Sequence, residues 1–484
     1  MKANLQSRSA APRTAHPSSG AGLLSRHIMP KPVRFLARAL TKGLCALALG
    51  SALAGNWLAA APAPRPRAVA PLMPLTVTKS GEGVVTPGFL GTSLRPEGSA
   101  ILVKAAPVTG YLFHSWSGSV SSTAPTLRFT LKAGTNLRAN FVLNPFPAVR
   151  GCYSGIFSGD GPAGSLSLSL LPSGAFTAKL KVAGVPYPFF GTMSPEGTFH
   201  GNVPRPGRRP LVVDLALDVA NGTGALAGTV TDGAAASQIS GERAMADAGG
   251  SAPLANRYTI LLPANYNDPS QPEGVGFATL SLDEFGAARL AGVLGDGTPV
   301  TGSANVTQSG ALFLHLTPAG GRGMLQGRLV FADEPGVSDL HGSVRWVKPP
   351  SPGGQYPAGF DATLDAVGSA YTAPAPGELA LDLPPGPDHL QFSLGCGNLR
   401  DPINKVGTLG ADGHLTISSP GADRLAVTVN NTTGYVSGTF LDPVTHVPRA
   451  LRGVLFQKRN IAAGVFRGTT ESGYFNLMPF SAAD

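Results

Sequence analysis

Residues that could carry out chemistry are sparse in this sequence, and their spacing completes no catalytic motif. Gly159, Gly161 and Gly164 fit the G-x-G-x-x-G pattern of a dinucleotide-binding loop. That loop must open a helix, whereas the strand-like segment SLSLSL follows here. The motifs G-x-x-x-x-G-K-S/T, H-E-x-x-H and G-x-S-x-G are absent from the sequence. We therefore interpret the glycine run as a turn.

Candidate metal ligands and acid–base groups are scattered along the chain. Four aspartates each precede a glycine: Asp160, Asp232, Asp296 and Asp412. They lack the dense D-x-D spacing of calcium loops, and turn formation explains an aspartate in that position. His315 and His341 either converge in the fold or are two unrelated surface histidines. The sequence predicts no enzyme and no catalytic, cofactor-binding or metal site, although the facing carboxylates of a glycosidase would leave no mark in a single sequence.

Charge is low and unevenly distributed. Asp, Glu, Lys and Arg make up 13% of the chain, which has 63 glycines and 44 prolines, and this composition favours turns and strands over helices. The first 54 residues hold eight basic residues and no acidic one, which leaves 29 basic against 28 acidic residues. A near-neutral body lacks the attraction that binds phosphate backbones, so the sequence predicts no nucleic-acid partner.

The N-terminal region has the order of an export signal. A basic region from Met29 is followed by an apolar run over residues 44–55 and an A-x-A site that ends at Ala54. We predict a leader over 1–54, cleaved near Ala54, and a linker over 55–74; whether translation starts at Met29 or upstream stays open. The alternative is an uncleaved anchor, but the apolar run has 12 residues and a membrane span needs about 20.

Two cysteines remain after the predicted leader, Cys152 and Cys396. In an oxidising compartment they either pair or stay as buried thiols, and the sequence leaves both open. Two thiols with no nearby histidine do not fill the four positions of a zinc site.

Residues 75–143 alternate apolar and polar side chains between glycine and proline turns, which is the pattern of short strands. Within this segment Gly110–Gly118 has a G-Y-x-F-x-x-W-x-G core, which resembles the bacterial repeat related to internalin B-repeats. The resemblance implies a small β module of exported and surface proteins. Tyr111, Phe113 and Trp116 then form the core of that module or a sugar-stacking platform. Core packing is favoured because aromatic side chains supply most of the burial in a small unit.

A spaced glycine pair recurs three times in the rest of the chain. The pairs are Gly224/Gly228, Gly323/Gly327 and Gly434/Gly438, at offsets of 99 and 111 residues. Each pair follows an alternating apolar run and precedes an apolar-x-Gly element. We predict three β repeats, over residues 151–250, 256–348 and 360–480. The four-residue spacing would put both glycines of a pair on one face of a strand.

Asn-Gly and Asp-Gly turns between short strands predict antiparallel meanders. Because alternation leaves one apolar face per strand, the sheets must close on themselves or pack together. The predicted fold is all-β, with the small β-repeat module followed by antiparallel meander repeats that close as barrel-like or sandwich domains. Barrel closure is the favoured form.

These observations predict an exported, non-enzymatic protein of the cell envelope or surface that serves in adhesion or scaffolding. The alternative is a ligand-binding β-barrel for a small apolar molecule or a glycan, since alternating strands can enclose a cavity. The partner would be an unidentified surface or extracellular ligand. An outer-membrane barrel is the third hypothesis. The strand over residues 175–181 carries both of its lysines on one face, so only a polar lumen could take that face, and the short strands disfavour an integral membrane protein.

Overall fold

The computed structural model describes residues 70–233, 235–248, 256–265, 268–318 and 320–481. The predicted leader, and the predicted linker up to residue 69, lie outside the described residues. Strands dominate the described part of the chain, and no helix in it is long and apolar enough to cross a membrane.

The N-terminal module is a sandwich of two small sheets. Its strands are β1 (Leu72–Ser80), β2 (Gly83–Val85), β3 (Gly91–Pro96), β4 (Ala100–Pro107), β5 (Tyr111–Gly118), β6 (Thr126–Thr130) and β7 (Thr135–Leu143). One sheet has the order β3-β1-β7-β5, with β1 and β7 parallel, and the other has the order β2-β4-β6. Both sheets contribute to one core around Trp116, which is 0% exposed.

A short helix, α1 (Phe146–Val149), leads from the module into the first barrel. Phe146 and Val149 are buried in the core of that barrel. The hydroxyl of Tyr153 donates a hydrogen bond of 2.5 Å to the carbonyl oxygen of Val149. The connection is therefore fixed to the barrel that follows it.

The first barrel is an eight-stranded antiparallel meander. Its strands are β8 (Gly151–Gly159), β9 (Gly164–Leu170), β10 (Ala175–Val182), β11 (Val185–Thr192), β12 (Thr198–Arg205), β13 (Arg208–Leu217), β14 (Ala225–Asp232) and β15 (Ala235–Arg243). The sheet order is β11-β10-β9-β8-β15-β14-β13-β12. The first and last strands pair with each other, and the unpaired edges are β11 and β12 in the middle of the sequence.

The sequence of β11 disfavours pairing across the seam with β12. Pro186 and Pro188 lie in this strand, which pairs with β10 along its whole length. A proline has no N–H to donate, so in a ladder it takes positions whose backbone points away from the partner strand. The backbone nitrogen atoms of both prolines therefore point towards β12. Because these nitrogen atoms carry no hydrogen, a ladder between β11 and β12 would lack two hydrogen-bond donors. The two edges lie side by side without forming a ladder.

The second barrel repeats this topology. Its strands are β16 (Asn256–Leu262), β17 (Gly276–Leu282), β18 (Ala287–Val293), β19 (Pro299–Asn305), β20 (Ala311–Leu316), β21 (Met324–Glu334), β22 (Ser338–Lys348) and β23 (Phe360–Tyr371). The order is β19-β18-β17-β16-β23-β22-β21-β20. We predicted that residue 360 opens the third repeat, but the strand that starts there belongs to the second barrel, because it pairs with both β16 and β22.

The third barrel closes completely. Its strands are β24 (Leu390–Cys396), β25 (Ile403–Leu409), β26 (His414–Ile417), β27 (Ala426–Asn430), β28 (Tyr435–Leu441), β29 (Pro448–Phe456), β30 (Ile461–Arg467) and β31 (Ser472–Pro479). Strands β27 and β28, which correspond to the open edges of the other two barrels, pair here from Ala426↔Thr439 to Asn430↔Tyr435. The predicted all-β fold of antiparallel meanders is confirmed: the first two domains are barrel-like with one open seam each, and the third is a closed barrel.

Side chains fill the interior of each barrel. One cluster of buried apolar residues lies inside each of them, with Phe157 in the first, Leu290 in the second and Phe440 in the third. Strand β9 alternates buried and more exposed residues along its whole length. An eight-stranded barrel has an interior just wide enough for such side chains. Space for ligands therefore has to be sought on the outer faces.

The repeated glycine pairs lie at different strand positions in the three barrels. They fall at the seventh strand of the first barrel (β14), the sixth of the second (β21) and the fifth of the third (β28). The first glycine of each pair precedes the strand, with φ of 71°, 87° and 70° in chain order. It ends a turn, and so does not share a strand face with the second glycine as predicted. Each second glycine lies in its strand, where a Cβ would come 2.0, 2.2 and 2.5 Å from a carbonyl oxygen of the neighbouring strand.

The first and second barrels meet where β20 lies against β8 and β9, with Ala311 and Phe313 of β20 buried, and polar groups surround this contact. The carboxylate of Glu242 accepts hydrogen bonds from Thr307 and Ser309 and lies 3.3 Å from Arg328. Gln326 of the second barrel donates from Nε2 to the carbonyl oxygen of Phe157, at 3.0 Å. We call this contact the polar junction.

The second and third barrels meet through apolar side chains on their outer faces. Leu261, Phe277 and Val293 of the second barrel pack with a patch on the third that includes Val454 and Val465. Phe277 is 1% exposed and Val454 is 0% exposed. We call this contact the apolar junction.

Candidate functional site

The structure places the sequence-predicted candidates in structural roles. Gly159 ends β8 and Gly164 begins β9, so the G-x-G-x-x-G run and Asp160 lie in the connection between two antiparallel strands. Trp116 is fully buried, and Tyr111 and Phe113 pack against the same core. The aromatic side chains of the module therefore hold it together and present no stacking platform.

His315 and His341 are not brought together. Nδ1 of His315 lies 2.9 Å from Oε1 of Gln326, which bonds across the polar junction. Burial lowers the pKa of His315, against a smaller opposing effect of Gln326. Nδ1 of His341 lies 3.4 Å from Oε1 of Glu334. Strand β21 separates the two strands that carry these histidines.

The aspartates that precede glycines have ordinary partners. Asp296 is 3% exposed, and its Oδ2 accepts a hydrogen bond of 2.6 Å from Nζ of Lys348. Asp412 accepts the backbone N–H of His414, and Asp232 pairs with a buried arginine. Within the described ranges, no group of three or more His, Cys, Asp or Glu side chains could hold a metal ion.

Cys152 and Cys396 are free thiols. Burial raises the pKa of Cys396 to about 12, and Glu273 adds to the shift. Burial, followed by the charge of Asp247, also raises the pKa of Cys152. Both groups are protonated at neutral pH, and the thiol is the unreactive form of cysteine.

A groove beside the apolar junction has the features of a binding site. It has a volume of about 390 Å³ and lies between the start of β19 and the strands β29 and β30. Three arginines and no acidic residue line it. The full lining is Val293, Gly297, Pro299, Pro448, Arg449, Ala450, Arg452, Val465, Phe466 and Arg467. We call it the arginine groove.

Arg449 is the fixed member of the groove. Its Nη2 donates to Oδ2 of Asp442 at 3.1 Å, and its Nη1 donates to the carbonyl oxygen of Arg467 at 3.2 Å. Its side chain is 9% exposed, and its Nε is buried without a hydrogen-bond partner in the described residues. Burial acts to raise the pKa of Asp442, but hydrogen bonds from two backbone N–H groups and from Arg449 hold it below its ordinary value. Asp442 is therefore charged at neutral pH and anchors the guanidinium.

Arg452 and Arg467 supply charge to the groove that no described acidic residue neutralises. Both are exposed, and both lie on the outer face of the third barrel beside Val465. Arg467 reaches the second barrel, where a Cβ on Gly297 would lie 2.5 Å from Cδ of Arg467. A guanidinium presents a planar fork of donors that fits a carboxylate or sulfate. The groove can therefore hold an anionic group beside apolar contacts.

The sequence did not predict this groove, because its arginines are ordinary in sequence. Arg452 and Arg467 are 15 residues apart and meet Gly297 only when two barrels dock. A signal for the docking itself was present. Residues 258–262 and 461–466 are runs in which almost every residue is buried, and such runs break the period of two that marks a strand with one solvated face.

Comparisons with known proteins match one part of the chain to a family. Residues 73–145 match the divergent InlB B-repeat domain, which confirms the resemblance predicted for this segment. A search of curated proteins gave no match. Among solved structures, the chain is similar to the isotype 1 transferrin binding protein B from serogroup B Neisseria meningitidis. That similarity has 10% identity and a TM-score of 0.17, and it covers 66% of each chain, just under two thirds of that protein.

Proposed function

We propose that this protein is an exported, non-enzymatic surface protein that adheres to acidic glycans through the arginine groove. The observation that carries the proposal is the groove itself, where three arginines and no acidic residue line a space of about 390 Å³. The match of residues 73–145 to the divergent InlB B-repeat domain supports a surface location.

The packed interiors of the barrels support a scaffold role for them. Each interior is occupied by its own cluster of buried apolar side chains. A small apolar ligand would have to displace those side chains, at a cost of several kcal/mol per large residue. Ligand contact is therefore assigned to the outer faces, and the barrels hold those faces in place.

The groove suits a sugar that carries a carboxylate or sulfate. Arg452 and Arg467 provide forked donors, and Pro299, Pro448 and Ala450 provide a small apolar floor. The charge of Arg449 is already paired with Asp442. Arg449 therefore orients a bound acidic group more than it adds unpaired positive charge to the groove. A neutral sugar would leave the two exposed guanidinium groups without a charged partner.

Calorimetry with oligogalacturonate tests the proposal, with the methyl-esterified oligomer of the same length as the neutral control. Binding to the acidic oligomer should weaken about tenfold or more for each of Arg452→Ala and Arg467→Ala. The matched control is Arg128→Ala with Arg138→Ala, since both residues are exposed on the N-terminal module. Equal binding of the esterified oligomer, or an equal loss in the control variant, would contradict the proposal.

The export part of the proposal is tested separately by N-terminal sequencing of envelope and medium fractions. A chain that begins near Gly55 is expected, because the A-x-A site directly follows the apolar run. Recovery of the whole chain inside the cell with residues 1–54 intact would refute it.

A further inference from the structure

The outer face of the second barrel changes from charged to apolar along three adjacent strands. Paired residues on β16, β17 and β18 form three rows: Arg257, Ser281 and Arg289; then Thr259, Thr279 and Ala291; then Leu261, Phe277 and Val293. The third barrel covers the apolar row. The charged row lies at the other end of the same face.

A second cavity lies over the charged row. Its volume is about 250 Å³, and its lining includes Arg257, Thr279, Ser281, Arg289 and Thr433, the last from the third barrel. No acidic residue lines it. Among the described residues neither Arg257 nor Arg289 forms an ion pair. Ser281 pairs with both arginines across the strands, so two guanidinium groups flank one hydroxyl.

A stretch of β18, which we call the path, lies between this cavity and the arginine groove. Arg289 lines the cavity and Val293 lines the groove. Between them on the same face lies Ala291, which is exposed and pairs with the exposed Thr301 of β19. Four residues of extended strand separate the two sites, about 13 Å. Ala291 and Thr301 are small, and neither carries a negative charge that would repel an anionic chain.

We propose that the second cavity and the arginine groove bind one extended acidic polysaccharide that lies along β18. This inference rests on the proposed function and specifies its ligand as a polymer with repeated negative charges. A ligand held at two linked sites gains affinity because the second contact is intramolecular. A single acidic sugar would reach only one of them.

The path favours a polysaccharide over a single-stranded nucleic acid. Proteins that hold single strands stack bases on accessible aromatic rings. The aromatic residues at the two sites are Tyr258 and Phe466, which are 5% and 1% exposed. Sugars need no stacking surface here, because hydroxyl groups on Ser281 and Thr301 are available on the exposed strand face.

The first test measures binding of the full chain to digalacturonate and to a long oligogalacturonate. The long oligomer should bind about a hundredfold more tightly, because it spans both sites. Arg257→Ala with Arg289→Ala should remove that advantage and leave digalacturonate binding at the groove unchanged. Arg452→Ala with Arg467→Ala should weaken both ligands.

The outcomes separate the two proposals. If the long oligomer binds no more tightly than digalacturonate, and the Arg257/Arg289 variant equals the parent, the extended site is refuted and the groove stands. If the Arg452/Arg467 variant equals the parent for both ligands, the proposed function fails. Tighter binding of an oligothymidylate than of the long oligogalacturonate would overturn the choice of ligand.

A substitution between the sites tests the path itself. Ala291→Glu places a negative charge midway and should lower affinity for the long oligomer about tenfold, with little effect on digalacturonate. Ala227→Glu is the control, because Ala227 is also exposed on a barrel strand but lies in the first barrel. Equal affinities of the two variants for the long oligomer would show that the chain does not run along β18.

Discussion

The two junctions between barrels are built differently. At the polar junction, Glu242 gathers donors from the second barrel, whereas at the apolar junction Phe277 and Val454 are buried as completely as residues of a barrel interior. Interfaces between domains allow relative motion unless they are large and hydrophobic. The second and third barrels should therefore behave as one body, and the first barrel should separate from them at a lower cost.

This difference matters for the binding surfaces. The arginine groove and the second cavity both take residues from the second and third barrels. A rigid junction keeps those residues in register without a ligand, which lowers the ordering cost of binding. Substitutions at each junction, and within a barrel wall, measure how much each contact contributes to stability.

The largest effect is expected for Phe277→Ala at the apolar junction. Loss of this side chain should lower the free energy of unfolding by about 3–5 kcal/mol and split one shared transition of the second and third barrels into two. Calorimetric melting measures both. Phe285→Ala is the control, since Phe285 is 67% exposed on the same barrel. An equal effect of the two variants would remove the distinction between the junctions.

Gly327→Val should have the next largest effect, because it crowds the wall of the second barrel. A Cβ on Gly327 would lie 2.2 Å from the carbonyl oxygen of Ser343, and such overpacking costs about 1–3 kcal/mol although valine favours strands. The third barrel should lose stability with the second, and the first should not. The control Gly354→Val adds a side chain where no atom lies within 4 Å. If the Gly327→Val variant is as stable as the parent, the close approach at Gly327 does not limit the size of its side chain.

Glu242→Ala at the polar junction should cost about 1 kcal/mol, because its donors regain water when the junction loosens. Hydrogen exchange of the backbone around Thr307 should speed up, while exchange in β29 and β30 stays unchanged. Glu242→Gln keeps an acceptor and should lie between the parent and the alanine variant. Faster exchange across the apolar junction would contradict the independence of the two contacts.

The smallest effect concerns Lys458 at the edge of the apolar junction. Its Nζ lies 2.6 Å from Asp333 and 2.7 Å from Asp339, and these hydrogen bonds raise the pKa of Lys458 above its ordinary value of 10.5. Because the pKa is raised in the folded state, the ion pairs of Lys458 contribute fully to the free energy of unfolding at a pH below 10.5. That contribution disappears as the pH rises through the pKa of Lys458 in the folded protein. Melting between neutral pH and about 11 should show this loss in the parent and not in Lys458→Met. Identical alkaline profiles would assign no role to the pair.

The sequence predicted the fold class because alternation with a period of two is a local property. It could not place the barrel boundary at Phe360, since only pairing with β16, about 100 residues earlier, decides to which barrel that strand belongs. The prediction that both glycines of a pair share one strand face was wrong for a related reason. Gly323 ends a turn and Gly327 allows a close approach, and both needs arise at any hairpin of a meander rather than at one position in a barrel.

The candidate site was harder to predict than the fold. Arg452 and Arg467 gain their role from Gly297 on another barrel, and their spacing in the sequence carries no sign of it. The buried run Tyr258–Leu262 in β16 did signal that a second layer covers this strand. If strands with almost every residue apolar are interpreted as docking faces, the sequence predicts the position of the apolar junction. It does not predict the arginines at the edge of that junction.

The prolines of β11 have a consequence for contacts between crowded copies of the protein. An open seam exposes backbone groups that a strand of a neighbouring molecule could join, and edge-to-edge joining of this kind leads to fibres. Pro186 and Pro188 deny that neighbour two of its partners along the seam-facing side of β11. The seam of the first barrel is therefore a poor template for a strand of a neighbouring molecule, even where many copies crowd together.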